Sequence, residues 1–131
     1  MATEKFGGKD FIHVFNFVRD KRKSGRILSN VKVGGVYISR LMVEPGVITG
    51  NNYHKKTFLM MYVESGSILG IFENINTKER KELKIHPAKQ VIHIPPFVSV
   101  ATKNIGLDEA VIVIFSNRCL RLGDDFEYQV L

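Results

Sequence analysis

One short stretch, Asn52-Tyr53-His54-Lys55-Lys56, gathers side chains able to move a proton or grip an anion. His54 is the strong base candidate, because an unperturbed imidazole titrates near working pH. Asn52 can hydrogen-bond a sugar hydroxyl or a developing enolate oxygen, but an amide cannot abstract a proton. Lys56 can meet a phosphate oxygen. Alternate side chains of an extended chain share a face, so positions 52, 54 and 56 are expected to point the same way. Tyr53, like Tyr37 and Tyr62, offers either a phenolic acid or a packing surface.

Two more polar residues sit in apolar runs. Arg40 interrupts an otherwise apolar segment and needs a partner there. A pyrophosphate or carboxylate would serve, as would a surface glutamate if the side chain points outward. His93 has the opposite parity to Ile92 and Ile94, so it faces either a cavity or solvent. His13 and His86 have no supporting context.

Around these residues the chain reads as strands. Val36–Val43, Thr57–Val63, Ser67–Ile75, Lys81–Ile85, Gln90–Ile94, Phe97–Lys103 and Ala110–Phe115 are short runs rich in Val, Ile, Phe and Tyr. Turn residues such as Glu44-Pro45-Gly46, Ser65-Gly66 and Asn104-Ile105-Gly106 separate them, the pattern of an all-β sandwich or barrel. Phe58–Val63 and Ala110–Phe115 are apolar on both faces, so both faces need cover. The outer cover is expected from the N-terminal segment (Phe11, Ile12, Val14, Phe15, Phe17, Val18) or from a second subunit, which makes a homodimer the expected assembly.

With 131 residues, one domain spanning 1–131 is expected, with enough chain to bury a core. Cys119 is the single cysteine, which excludes an intrachain disulfide and fits a reducing compartment. Met1–Asp10 lacks an apolar leader and no run approaches the length of a membrane span, so a cytoplasmic protein is expected. The net charge of +6 suits solubility or an anionic ligand. Lys21, Arg22, Lys23 and Arg26 form one basic cluster; Lys78, Arg80, Lys81 and Lys84 form another, interleaved with Glu79 and Glu82. Neither has the interleaved aromatics of a single-strand binder, which argues against nucleic acid.

Two segments carry a resemblance to the cupin superfamily (RmlC-like). Gly46, five residues, Asn52-Tyr53-His54, four residues, Leu59, six residues and Gly66 follow the first cupin motif, in which two histidines and a glutamate occupy the positions of Asn52, His54 and Leu59. Pro95 and Asn104 match the second motif, whose glycine and histidine are replaced by Phe97 and Val100. The resemblance covers about residues 36–116. It implies a double-stranded β-helix, the cupin jelly-roll barrel, with N-terminal strands within 10–34 and a tail from 117 to 131 packing on the barrel or a partner. Cupin metals are held from the positions of Asn52, His54, Leu59 and Val100. Of these only His54 is a good ligand; an amide oxygen is weak, and Leu59 and Val100 have no donor atoms. No metal or other cofactor is therefore expected.

Thr49-Gly50-Asn51-Asn52-Tyr53-His54-Lys55-Lys56 is more particular. It resembles the cupins of sugar-nucleotide metabolism, the 3,4-ketoisomerases and 3,5-epimerases that act on dTDP-4-keto-6-deoxyhexoses. Their arginine is Thr49 here, and the histidine that removes a proton is Asn52. The resemblance implies a metal-independent cupin that binds a nucleotide-linked 4-keto-6-deoxy sugar for surface polysaccharide synthesis. His54 would be the base, and Asn52, Lys56, Arg40, His93 and Tyr53 would contact the substrate. The alternative is a non-catalytic cupin that binds a small ligand or dimerises, because loss of three metal positions is also what a retired site would show.

Overall fold

A computed structural model describes residues 11–131; the stretch Met1–Asp10, on which the expectation of no apolar leader falls, lies outside the described residues. The described chain contains strands and no helix. The strands are β1 (Val18–Asp20), β2 (Arg26–Val33), β3 (Val36–Val43), β4 (Ile48–Tyr53), β5 (Leu59–Ser65), β6 (Ile68–Asn74), β7 (Arg80–Ile85), β8 (Ile92–Ile94), β9 (Val98–Asn104), β10 (Ala110–Ser116) and β11 (Phe126–Glu127). They form two sheets, one of order β1-β2-β3-β10-β5-β8 and one of order β11-β4-β9-β6-β7, and every pairing is antiparallel. This is the cupin jelly roll, built as two facing sheets rather than a closed barrel.

Alternation explains the packing of the larger sheet. Leu41 and Val43 of β3, Met61 and Val63 of β5, and Ile112 and Ile114 of β10 turn inward and are buried. Each such side chain contributes about 1.5–3 kcal/mol through burial. The alternate residues Met42, Met60, Tyr62, Val113 and Phe115 line the outer face, where Tyr62 and Phe115 stack at 6.4 Å. The N-terminal segment buries its apolar residues unevenly: Phe15 is half-buried, whereas Phe11 is 96% exposed and Val14 77%. Phe11 and Val14 precede β1 and turn to solvent within the single chain.

The residues matching the cupin motifs have structural tasks. Gly66 turns between β5 and β6 at φ +93°, where a Cβ would stand 2.6 Å from that of Ala110. Asn104, buried at the end of β9, donates to the carbonyls of Val43 (2.9 Å) and Asp108 (2.8 Å) and accepts from the Gly106 amide (2.9 Å). It thereby stitches one sheet to the other. Unpaired, that amide would cost roughly 1–3 kcal/mol.

Candidate functional site

Between the sheets lies a cavity of about 460 Å³. Its walls differ in chemistry. The six-stranded sheet supplies Leu41, Leu59, Met61, Ile94, Ile112 and Ile114, whereas β4, β9 and the residues after β4 supply Thr49, Asn52, His54 and Thr102.

A β-bulge sets the polar wall. Thr49 pairs with Thr102 and Gly50 with Ala101, but the next pair is Asn52 with Val100, so Asn51 is the extra residue. Asn51 takes φ +62° and Gly50 φ +93°. A Cβ on Gly50 would lie 2.4 Å from the Val100 carbonyl oxygen, so only glycine fits. The extra residue advances the alternation by one, and Thr49, Asn52 and His54 all reach the cavity. The Thr49 and Thr102 hydroxyls, both buried, share a hydrogen bond of 2.5 Å.

His54 lies just beyond β4 and is buried, 6% exposed. Its Nδ1 is 2.6 Å from the carbonyl oxygen of Asp124 and 3.2 Å from Oδ1 of Asp125. A carbonyl only accepts, so Nδ1 carries the hydrogen; in the neutral ring Nε2 then holds the free lone pair. The Asp124 carboxylate is tied down in turn. Its Oδ1 accepts from the Lys55 amide (3.2 Å), and its Oδ2 accepts from the Lys56 amide (2.9 Å) and the Thr57 hydroxyl (2.7 Å). Burial pushes this carboxyl up, but the hydrogen bonds from Thr57, Lys56 and Lys55 outweigh it and hold the pKa at about 2.

The tail does more than lock the imidazole. Leu120, Arg121, Asp125 and Glu127 line the cavity, and β11 pairs with the end of β4. Beyond β11 the chain crosses to the outer face of the five-stranded sheet, where Val130 packs with Ile71 and Ala101. Asn51 anchors this crossing: its Oδ1 accepts from the amides of Val130 (2.8 Å) and Leu131 (3.0 Å), and its carbonyl from that of Tyr128 (2.9 Å).

At the mouth stand Arg22, Lys23, Arg26 and Arg121. Arg22 chelates Asp20 through Nε (3.0 Å to each oxygen) and Nη2 (2.7 Å). The hydrogen bonds from Arg22 hold the Asp20 carboxyl far below the usual carboxylate range. Burial lowers the Lys23 and Arg26 pKa values, and repulsion from Arg121 lowers them further.

Of the residues expected at the site, His54 and Asn52 meet in the cavity; four others stand elsewhere. Lys56 is exposed outside the cavity lining, because β4 ends at Tyr53 and strand alternation no longer governs position 56. Tyr53 turns the other way and stacks on Phe97 (6.2 Å) and Phe126 (5.5 Å). Arg40 lies on the outer face of the six-stranded sheet with Glu64, 3.4 Å away, and His93 on that face stacks against Phe58 at 6.1 Å. Thr49, Thr102, Arg121 and Asp125 were not anticipated. Thr49 was visible as the occupant of an arginine position, and Arg22, Lys23 and Arg26 as a basic cluster. No periodic signal marked the tail.

The cupin metal positions do not fit a metal here. His54 has Nδ1 engaged by the tail, Leu59 and Val100 form apolar wall, and no three His, Cys, Asp or Glu among the described residues converge on one point.

Residues 20–125 match the model of the polysaccharide biosynthesis C-terminal domain. The chain belongs to that family. This member of the polysaccharide biosynthesis C-terminal domain family shares its fold with CapF, the capsular polysaccharide assembling protein of Staphylococcus aureus. Its crystal structure superposes with a TM-score of 0.75 at 22% identity, over 92% of this chain and 36% of that one. A second CapF structure, with the inhibitor 3-isopropenyl-tropolone, gives a TM-score of 0.74. Recombinant oxalate oxidase in complex with glycolate gives 0.64 at 20% identity, over 74% of this chain and 53% of that one. The chain thus spans about a third of the length of CapF and half that of the oxidase. No curated protein sequence matches it.

Proposed function

We propose that this domain binds a nucleotide-linked 4-keto-6-deoxy sugar in the cytoplasm and isomerises or epimerises it by proton transfer, as a step in surface polysaccharide synthesis. Membership of a polysaccharide biosynthesis family and the fold shared with a capsular polysaccharide assembling protein support the process. The observation that carries the chemistry is His54. A tail carbonyl takes its Nδ1–H, which leaves Nε2 as the basic nitrogen of a buried ring on a ligand-sized cavity. Nε2 removes the proton beside the sugar carbonyl, and the resulting imidazolium is stabilised by Asp125 at 3.2 Å. The enediolate then regains a proton from that imidazolium at the neighbouring carbon, which gives the isomer, or from water on the opposite face, which gives the epimer. Asn52 and the Thr49–Thr102 pair offer hydrogen bonds to the enolate oxygen and neighbouring hydroxyls, while the leucines and isoleucines opposite accept the deoxygenated edge of the ring.

Incubation with a dTDP-4-keto-6-deoxyhexose in deuterium oxide is expected to place deuterium beside the carbonyl. His54→Ala should slow that exchange roughly 100-fold or more. Exchange equal in the two proteins would remove His54 from the role. No exchange in either would favour the second reading, a non-catalytic ligand-binding module, to which Leu59 and Val100 at former metal positions lend weight.

The same reading has a second copy of the chain cover the outer face of the six-stranded sheet, where Phe58 is 50% exposed and Met60 47%. Light scattering should give twice the chain mass; a monomer at micromolar concentration would remove this assembly.

A further inference from the structure

The cations at the cavity mouth are poorly matched by the acids around them. Asp20 is the carboxylate closest to Arg121, whose Nη1 lies 3.1 Å from Asp20 Oδ2. Yet both oxygens of Asp20 are already chelated by Arg22, so the buried Nη1 shares its one carboxylate partner among the described residues and meets it in poor hydrogen-bond geometry. Among the described residues Lys23 and Arg26 have no ion pair, Arg26 reaching only the Ser24 carbonyl (3.4 Å), and each is repelled by Arg121. Asp125, the acid that offsets Lys23, lies beside His54. Like charges crowded into a partly buried mouth, with two arginines sharing one carboxylate, are destabilising unless a further anion joins them. The second basic cluster does not share this feature. Lys78 donates to the Tyr128 hydroxyl (3.0 Å), and Arg80 reaches Glu73 (3.4 Å) and the Val130 carbonyl (2.7 Å).

We infer that Lys23, Arg26 and Arg121 form a diphosphate-binding subsite at the mouth, with the Asp20–Arg22 pair holding Arg121 in position. This deepens the sugar-nucleotide reading and rests on it for the identity of the ligand. A guanidinium fork matches the paired oxygens of a phosphate, and two arginines with a lysine suit a doubly charged group better than a single carboxylate. Arg121 and Lys23 share the cavity with His54, so a ligand held there by its diphosphate would present its sugar inward, toward the imidazole. The tail thereby contributes to both ends of the site, through Arg121 at the mouth and Asp124 behind the base.

Calorimetric titration of the whole chain at low salt tests this with four probes: inorganic pyrophosphate, dTDP, glucose 1-phosphate and acetate. Pyrophosphate and dTDP are expected to bind, the monophosphate more weakly and acetate not at all. Tighter binding of dTDP than of pyrophosphate would assign the site to a nucleotide; equal binding would assign it to free diphosphate. The double change Lys23→Ala, Arg26→Ala should weaken pyrophosphate at least tenfold. Arg121→Lys, which keeps the charge but loses the fork, should weaken it several-fold without lowering the melting temperature. Lys84→Ala, which removes one charge from β7, should leave binding unchanged. Absence of pyrophosphate binding at millimolar concentration, or equal loss in Lys84→Ala, overturns the subsite. Deuterium exchange in a protein that ignores pyrophosphate would sink the subsite alone, whereas pyrophosphate binding without exchange would sink only the base.

Discussion

The two walls of the cavity are built by different means. The six-stranded wall is a regular ladder where it lines the cavity, with β10 between β3 and β5 and its inward residues aliphatic; its one register shift, at Glu64, lies beyond the lining, between the Val111–Ser65 and Ile112–Val63 pairs. The opposite wall carries the polar groups, and its backbone is irregular there: a bulge, a glycine at φ +93° and an asparagine at φ +62°. Aliphatic burial tolerates regular alternation and gains from it. Bringing a hydroxyl pair, an amide and an imidazole onto one surface requires breaking the alternation at a chosen residue.

The largest test of this contrast is Gly50→Ala. The new methyl would meet the Val100 oxygen at 2.4 Å in a backbone conformation hostile to side chains, and a loss of about 3 kcal/mol is expected. A fall in melting temperature of roughly 10 °C would accompany it; an unchanged melt would mean the bulge does not hold the wall.

Next comes the latch behind the base. The Asp124 pKa of about 2 lies below its ordinary value of 3.8, so its stabilisation is complete above that ordinary value and is lost as pH falls through about 2. The carboxylate is partly exposed, which limits the contribution to about 1 kcal/mol. Urea midpoints of the wild type and Asp124→Asn should differ at pH 6 and converge towards pH 2. A gap independent of pH would show that its charge plays no part.

The smallest effect is expected from Thr102→Val, which removes one partner of the buried hydroxyl pair without changing side-chain size. A loss of about 1 kcal/mol is expected, with the six-stranded wall unaltered. A stability gain in thermal denaturation would show that the pair is not held as a pair.

How far each wall could be read from the sequence follows from the same difference. The seven apolar runs correspond to β3 and to β5 through β10, because β-branched and aromatic residues between turns leave few other readings. Within them, parity separates the faces but does not say which face is inside, which is how Arg40 and His93 came to be considered for the cavity. β4 was not among the expected strands: Gly50, Asn51 and Asn52 are poor strand formers, and pairing with β9 overrides that preference. Asn52 and His54 were legible through the motif. Lys56 was misplaced by extending alternation past the end of the strand. Arg121 and Asp125 come from a tail whose position depends on contacts such as that of Asn51 with Leu131, 80 residues away, and no local pattern reports those.

The extra residue in β4 acts as a phase shifter for the polar wall. Because Asn51 has no partner on β9, a regular ladder that kept it would turn every later side chain over, sending the imidazole outward and the Tyr53 ring inward, whereas deleting it would leave the pairs on either side as they are. What deletion would cost is the tether of the last residues. The bulge therefore lets a single strand carry an anchor for the chain end on one side and an inward-facing base on the other.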